Sequence, residues 1–258
     1  ESSMWTDVVD LQGFYSTRLG ETAAHVIRGN IRDHWKNVRG KSILGLGYTT
    51  PYLTQFEDEA ERVLAFMPAS QGVCHWPRGG PGKVSLVDET NLPLPDYSID
   101  RVLLVHGLES SEYLRDMLRE IWRVLTSDGR LLIVAPNRRG IWARVDKTPF
   151  GWGHPFSRSQ ISQLLHDTLF VPISTNRSLY VPPSQRLTVL QAAPAWERMG
   201  KKFFPTFAGL LTVEAGKQLY VPGTPKRVQG LRRPSLANVP QAFQKFPHVR
   251  GAKGDSKK

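Results

Sequence analysis

The chain has 258 residues, 40% of them hydrophobic, and a formal net charge of +11. That length buries a sizeable core and fits one domain with appendages. No apolar run approaches the ~18–20 residues of a membrane span, and the first residues lack the charged and apolar regions of a signal peptide. The single cysteine, Cys74, excludes an intrachain disulfide and a cysteine-built metal site. A cytoplasmic protein is expected.

Residues 5–20 form an aromatic-rich lead-in containing Trp5, Phe14 and Tyr15. Ala23, Ala24, Ile27, Ile31 and Trp35 then recur at helical spacing. The run Ile43-Leu44-Gly45-Leu46 reads as a buried strand, and Gly47 permits a tight turn. Thr50-Pro51 opens a helix expected to reach residue 61, with Thr as N-cap and Pro at N1. Strand, glycine turn and helix N-terminus together make an anion-binding site, because backbone N–H groups without partners point outward there.

A second strand is expected at 63–66, ending at Met67-Pro68, and a Gly- and Pro-rich loop at 68–83. A third strand, 84–87, stops at Asp88, and a fourth covers 101–106. An amphipathic helix over 111–125 presents Leu114, Leu118, Ile121, Trp122 and Leu125 on one face and ends at the turn Ser127-Asp128-Gly129. A fifth strand spans 130–135. Ser157 and Gln160 form a capping box for a helix to about 166, with Phe156 placed to staple against Ile161. A strand near 169–173, a helix over 184–202 and a strand near 210–214 follow. Apolar strands alternating with helices or loops before residue 137 argue for a parallel sheet of the α/β class.

Two runs carry a resemblance. One is Asp88…Leu92-Pro-Leu-Pro-Asp96-x-Ser98-Ile-Asp100-Arg-Val-Leu-Leu…His106-x-Leu108-Glu109. The other, Leu118-Arg-Glu-Ile-Trp-Arg-Val-Leu125-Thr-Ser-Asp-Gly129-Arg-Leu-Leu-Ile-Val-Ala-Pro136-Asn137, is the more specific. Over about residues 40–170 the chain resembles class I S-adenosyl-L-methionine-dependent methyltransferases of the "methyltransferase 11" group, and its ends and residues 5–35 resemble an alphaproteobacterial branch of it. The resemblance implies a Rossmann-like seven-stranded, mostly parallel sheet with the last strand antiparallel and helices on both faces. It also implies a methyl transfer from S-adenosyl-L-methionine to an unassigned acceptor.

By the same resemblance Asp88 accepts from the adenine amino group, with Glu89 beside it, and Leu108 packs on the adenine face. Gly45, Gly47, Thr49 and Thr50 line the methionine end, and Met67 stands at the ribose position. His106 and Glu109, just after the fourth strand, are the candidates near the methyl group. A histidine suits removal of a proton from an acceptor hydroxyl or amine, because its intrinsic pKa lies near neutrality. The loop Phe150-Gly151-Trp152-Gly153-His154-Pro155 lies where the family builds substrate pockets. An open cleft lined by Gly47, Asp88, Leu108 and His106 is therefore expected.

The chain departs from the family at two places. The usual acid-x-Gly-x-Gly-x-Gly pattern here reads Gly45, Gly47, Thr49, Pro51, and the second strand ends in Phe66, Met67, Pro68 where an acid normally holds the ribose. Losing two charge-assisted bonds of about 1.5–3 kcal/mol each predicts weak cofactor binding. Trp76 and His75 are possible substitutes at the ribose, and the bulky Tyr48, Trp76 and Met67 are candidates to fill the cleft. The rival expectation is a degenerate methyltransferase-fold protein that binds or regulates a protein partner. No Asn/Asp-Pro-Pro-aromatic motif follows the fourth strand, which argues against methylation of nucleic-acid bases.

Residues 1–224 are expected to form the domain with its helical lead-in. Residues 225–258 hold nine Lys/Arg against one acid, about +8 of the total charge. They read as a basic, flexible tail for an acidic partner or nucleic acid.

Overall fold

The computed structural model describes residues 7–77 and 79–218; the predicted tail at 225–258 lies outside them. The seven strands are β1 (Ser42–Gly47), β2 (Arg62–Pro68), β3 (Val84–Val87), β4 (Ile99–Val105), β5 (Leu125–Pro136), β6 (Phe170–Ser178) and β7 (Leu210–Lys217). They form one sheet in the order β3-β2-β1-β4-β5-β7-β6. The first five are parallel, and β7 runs antiparallel to both β5 and β6. The predicted fold class is thus the observed one.

Alternation along β1 divides the core into two layers. Ile43 packs with Ala65, Leu103 and Leu132 beneath α1 (Val8–Tyr15) and α2 (Arg18–His34). Leu44 and Leu46 pack with Leu104 and Ile133 on the opposite face, against α4 (Leu114–Val124) and α5 (Arg158–Asp167). Asp7 caps α1 by accepting from the Val9 N–H, and Thr17 caps α2 by accepting from the Gly20 N–H. Leu19, Ala23, Ile27 and Ile31 recur every fourth residue along α2 and are buried. Met117, Leu118, Ile121 and Val124, at i, i+1, i+4 and i+7, form the buried face of α4, each contributing about 1.5–3 kcal/mol of burial. The Ser157–Gln160 capping box is present at α5, and Phe156 and Ile161 belong to the same core layer.

Several element boundaries differ from expectation. The helix predicted over 51–61 is α3 (Thr50–Leu53) followed by one 3₁₀ turn, Thr54–Phe56. Its N-cap is Thr49, without a side-chain cap bond, since that side chain packs on Gly45. The run Glu57-Asp58-Glu59-Ala60-Glu61 supplies negative charge where a helix C-terminus disfavours it. β5 begins at Leu125, taking in the predicted turn, because Leu125 pairs with Ile99 of β4 before the register shifts. The helix expected over 184–202 is two helices, α6 (Leu187–Gln191) and α7 (Ala193–Phe203). They part at Ala192, and Pro194 lies in the first turn of α7, where its missing N–H does no harm. β6 and β7 are both longer than predicted. The stretch 69–83 carries no helix among its described residues.

Candidate functional site

Strand order reverses between β1 and β4, and the C-terminal ends of these two strands meet there. In open α/β sheets ligands bind at such a crevice. Gly47 turns the chain at φ +86°, where a Cβ would strike the Val105 carbonyl oxygen. β4 ends into His106, a non-glycine residue at φ +54°, a conformation that its surroundings must hold in place.

Four buried side chains are hydrogen-bonded in series at that point. Glu109 Oε1 lies 3.1 Å from His106 Nδ1, His106 Nε2 lies 2.7 Å from the Tyr15 hydroxyl, and the Tyr52 hydroxyl donates to that of Tyr15 at 2.6 Å. With Glu109 as a carboxylate and His106 as the neutral imidazole, Nδ1 donates to Glu109 and Nε2 accepts from Tyr15. The chain therefore has one direction, Tyr52 to Tyr15 to His106, with Glu109 behind the ring. Burial, followed by the neighbouring Tyr52, pushes the Tyr15 hydroxyl well above its ordinary range. Burial also raises Tyr52, against the Tyr15 bond that lowers it.

Gln71 closes this assembly from above. Its Nε2 donates to the His106 backbone carbonyl at 2.8 Å, and its backbone carbonyl accepts from Val8 N–H at the start of α1 at 2.8 Å. Tyr15 stacks on Tyr48 with centroids 5.5 Å apart, and the Phe150 ring lies 5.0 Å from His106. His154 N–H donates to the Glu109 carbonyl at 3.0 Å. The predicted substrate loop and the predicted pair His106 and Glu109 are therefore brought together, packed against each other.

The expected single cleft is instead divided. Asp88 and Glu89 face a cavity of about 880 Å³ with Thr90, Tyr113 and Glu120. Thr50 lines a second, of about 940 Å³, with Tyr15, Tyr48, Arg28, Cys74 and Trp76. Leu108 and Glu109 line a third, of about 520 Å³, with Gly153 and His154. Gly45, Gly47, Thr49, Met67 and His106 are buried and line none of these three. The physical cause of the division is that Tyr15, Tyr48 and Gln71 pack over the ends of β1 and β4. His106 lies between two of the cavities, reaching one through Tyr15 and the other through Glu109.

At the outer end Asp88 accepts from the Thr90 N–H at 2.8 Å and the Thr90 hydroxyl at 2.6 Å, both on Oδ1. These bonds hold its carboxyl below the usual range. Trp76 anchors its own loop by donating to the Thr54 hydroxyl at 3.1 Å. Three buried polar atoms at the strand ends have no hydrogen-bond partner among the described residues: Thr49 Oγ1, Gln71 Oε1 and Glu109 Oε2. Such atoms are costly unless something bonds to them, so the residues present fit a ligand with polar groups there. Tyr52 and Gln71 were not legible as site residues; Tyr15 was visible only as part of an aromatic run.

The sheet order, the antiparallel β7 and the strand-end site define a protein with the class I methyltransferase fold. Residues 44–133, from β1 into β5, match the family described as "Methyltransferase domain". A SAM-dependent methyltransferase from Thermotoga maritima superposes with a TM-score of 0.61 at 15% identity, over 82% of this chain and 96% of that one. A SAM-dependent methyltransferase from Mesorhizobium loti gives 0.54 at 15% identity, over 73% and 96%. A chain from the complex between the Haloferax volcanii Trm112 methyltransferase activator and a methyltransferase gives 0.51 at 15% identity, over 74% and 94%. No curated protein matches the chain in sequence.

Proposed function

We propose that this chain is an S-adenosyl-L-methionine-dependent methyltransferase of the cytoplasm, from the alphaproteobacterial branch named above, whose acceptor gives up its proton through Tyr15 and His106. The observation that carries the reading is the match of residues 44–133 to the methyltransferase domain, because the sheet converges its strand ends on the Glu109–His106–Tyr15 series. Asp88 and Glu89 would hold the adenine end, Leu108 its face, and Met67 the ribose region. Thr50, at the Tyr15 cavity, would receive the methionine end, with Gly45, Gly47 and Thr49 reached when the side chains packed over the ends of β1 and β4 give way. When bound, the cofactor supplies an electrophilic methyl group on a sulfonium.

The chain's own residues handle the proton. An acceptor hydroxyl or amine in the Tyr15 cavity gives its proton to the Tyr15 oxygen, while the Tyr15 proton moves to His106 Nε2. The imidazolium so formed faces the Glu109 carboxylate. Tyr15 itself passes the proton on rather than holding a charge, because burial keeps its hydroxyl protonated. Methyl transfer needs alignment more than a covalent partner, and Phe150 and the Gly153 turn fix the wall beside His106. A protein partner is a further part of this reading, since a neighbour of the fold comes from a complex with an activator.

Titration with S-adenosyl-L-methionine tests the proposal. Binding in the range of about tens of micromolar is expected, given the two missing acids, and Asp88→Ala should weaken it about tenfold or more. No heat and no thermal shift at millimolar ligand would decide instead for the partner-binding protein.

A further inference from the structure

α7 is held to the body by one face only. Gly200 sits on the Tyr180 ring, with no room for a Cβ, and Glu197 turns inward to accept from the backbone N–H groups of Leu179, Tyr180 and Val181. The remaining surface has an unusual composition. Trp196, Met199, Phe203, Phe204 and Phe207 are each at least 40% exposed, and the Phe203 and Phe204 rings lie 6.5 Å apart. Large apolar side chains scattered singly on a surface mean little, whereas a grouped set marks an interaction site.

The charge beside this patch has one sign. Arg198, Lys201 and Lys202 are exposed, and Glu197, the only acid of α7, is the residue turned inward. On the helical wheel Trp196, Met199 and Phe203 occupy one narrow arc, at i, i+3 and i+7, and the three cations occupy the neighbouring arc. Lys202 Nζ also lies 5.2 Å from the Phe203 centroid, a separation that keeps a cation at the edge of the apolar strip. Aromatic residues on one face with cations beside them suit a helix lying in a lipid headgroup layer. A single-stranded nucleic acid surface would interleave the two kinds of residue instead.

We infer that the exposed face of α7 and the turn after it, residues 196–207, binds the surface of an anionic phospholipid membrane, with Trp196, Met199, Phe203, Phe204 and Phe207 entering the headgroup layer and Arg198, Lys201 and Lys202 meeting lipid phosphates. The inference is independent of the methyl-transfer reading. It describes peripheral attachment; among the described residues no helix is long and apolar enough to cross a membrane.

Co-sedimentation of the full chain with vesicles tests it. Mixed phosphatidylglycerol–phosphatidylcholine vesicles should retain the protein about tenfold or more over pure phosphatidylcholine, with the difference shrinking as salt rises. The double variants Phe203→Ser/Phe207→Ser and Arg198→Glu/Lys202→Glu should each abolish most of that retention while leaving the melting temperature within a few degrees, since each of the four side chains is exposed. Wild-type retention that both variants preserve would overturn the proposal, as would absence of retention. A self-association in sedimentation velocity, or a single-stranded oligonucleotide shift, that the same variants remove while vesicles retain nothing would assign the face to a second copy or to nucleic acid instead.

Discussion

At the scale of single residues, Tyr15 is the most constrained side chain of the site. It accepts from Tyr52, donates to His106 and stacks on Tyr48. Tyr15→Phe keeps the ring and the stacking but orphans two buried groups, the Tyr52 hydroxyl and His106 Nε2. A loss of about 1–3 kcal/mol follows, visible as a lower melting temperature. Titration of the same variant with S-adenosyl-L-methionine should give an affinity close to that of the parent, because Tyr15 serves the acceptor side. A variant as stable as the parent would show that the buried hydroxyl series contributes nothing. Asp88 is the opposite case. It is exposed, two bonds from Thr90 orient it, and its variant should change affinity with little change in stability.

At the scale of elements, α7 depends on a single carboxylate. Glu197 accepts from three successive backbone N–H groups where β6 gives way to the following loop. Glu197→Ala leaves all three unpaired and should cost about 1–3 kcal/mol. The pH dependence has a definite sign. Burial, partly offset by those three bonds, raises the Glu197 carboxyl above its ordinary 4.5. Between the unfolded and the folded value the native state therefore binds more protons, so stability falls as pH rises through that window. Glu197→Gln removes that fall at the cost of one accepted bond. Chemical denaturation of parent and variant from pH 4 upward should show it, and parallel profiles would count against the assignment. Arg123 organises a second element pair, donating to the carbonyls of Leu92 and Leu94 and to Asp96 and Glu120, which ties the segment before β4 to α4.

At the scale of the whole molecule, the sheet separates two packed layers and the site lies where both end, beside the strand reversal. A ligand that binds only this native arrangement stabilises it. At about a hundredfold excess over its dissociation constant, S-adenosyl-L-methionine should add about 2.7 kcal/mol and raise the melting temperature by several degrees. The basic segment from 225 onward carries about +8 of the charge and lies outside the described residues. Deleting residues 230–258 should leave the melting temperature within a few degrees while lowering salt-sensitive binding to polyanions. A large drop in melting temperature would show that Leu231, Val239, Phe243 and Phe246 pack on a folded surface.

The features that the sequence by itself determined are those set by neighbours along the chain. The five parallel strands follow from short apolar runs, α4 from Leu118, Ile121 and their spacing, the α5 start from Ser157 and Gln160, and the first turn from Gly47. Each depends on side-chain period or on a local hydrogen bond, which a few residues suffice to specify. His106 and Glu109 were legible as a pair for the same reason, three residues apart after one strand. The tertiary structure alone decided what surrounds them. Tyr15 reaches His106 across 91 residues of chain and Gln71 across 35; Tyr52 joins through Tyr15. Nothing in the period of α1 or in the glycine-rich loop records those partners. The same holds for the division of the expected cleft, and for the length of β6, which extends because β7 is there to pair with it. Such contacts arise when distant segments compete for the same buried space, and only the packed chain settles which side chain occupies it.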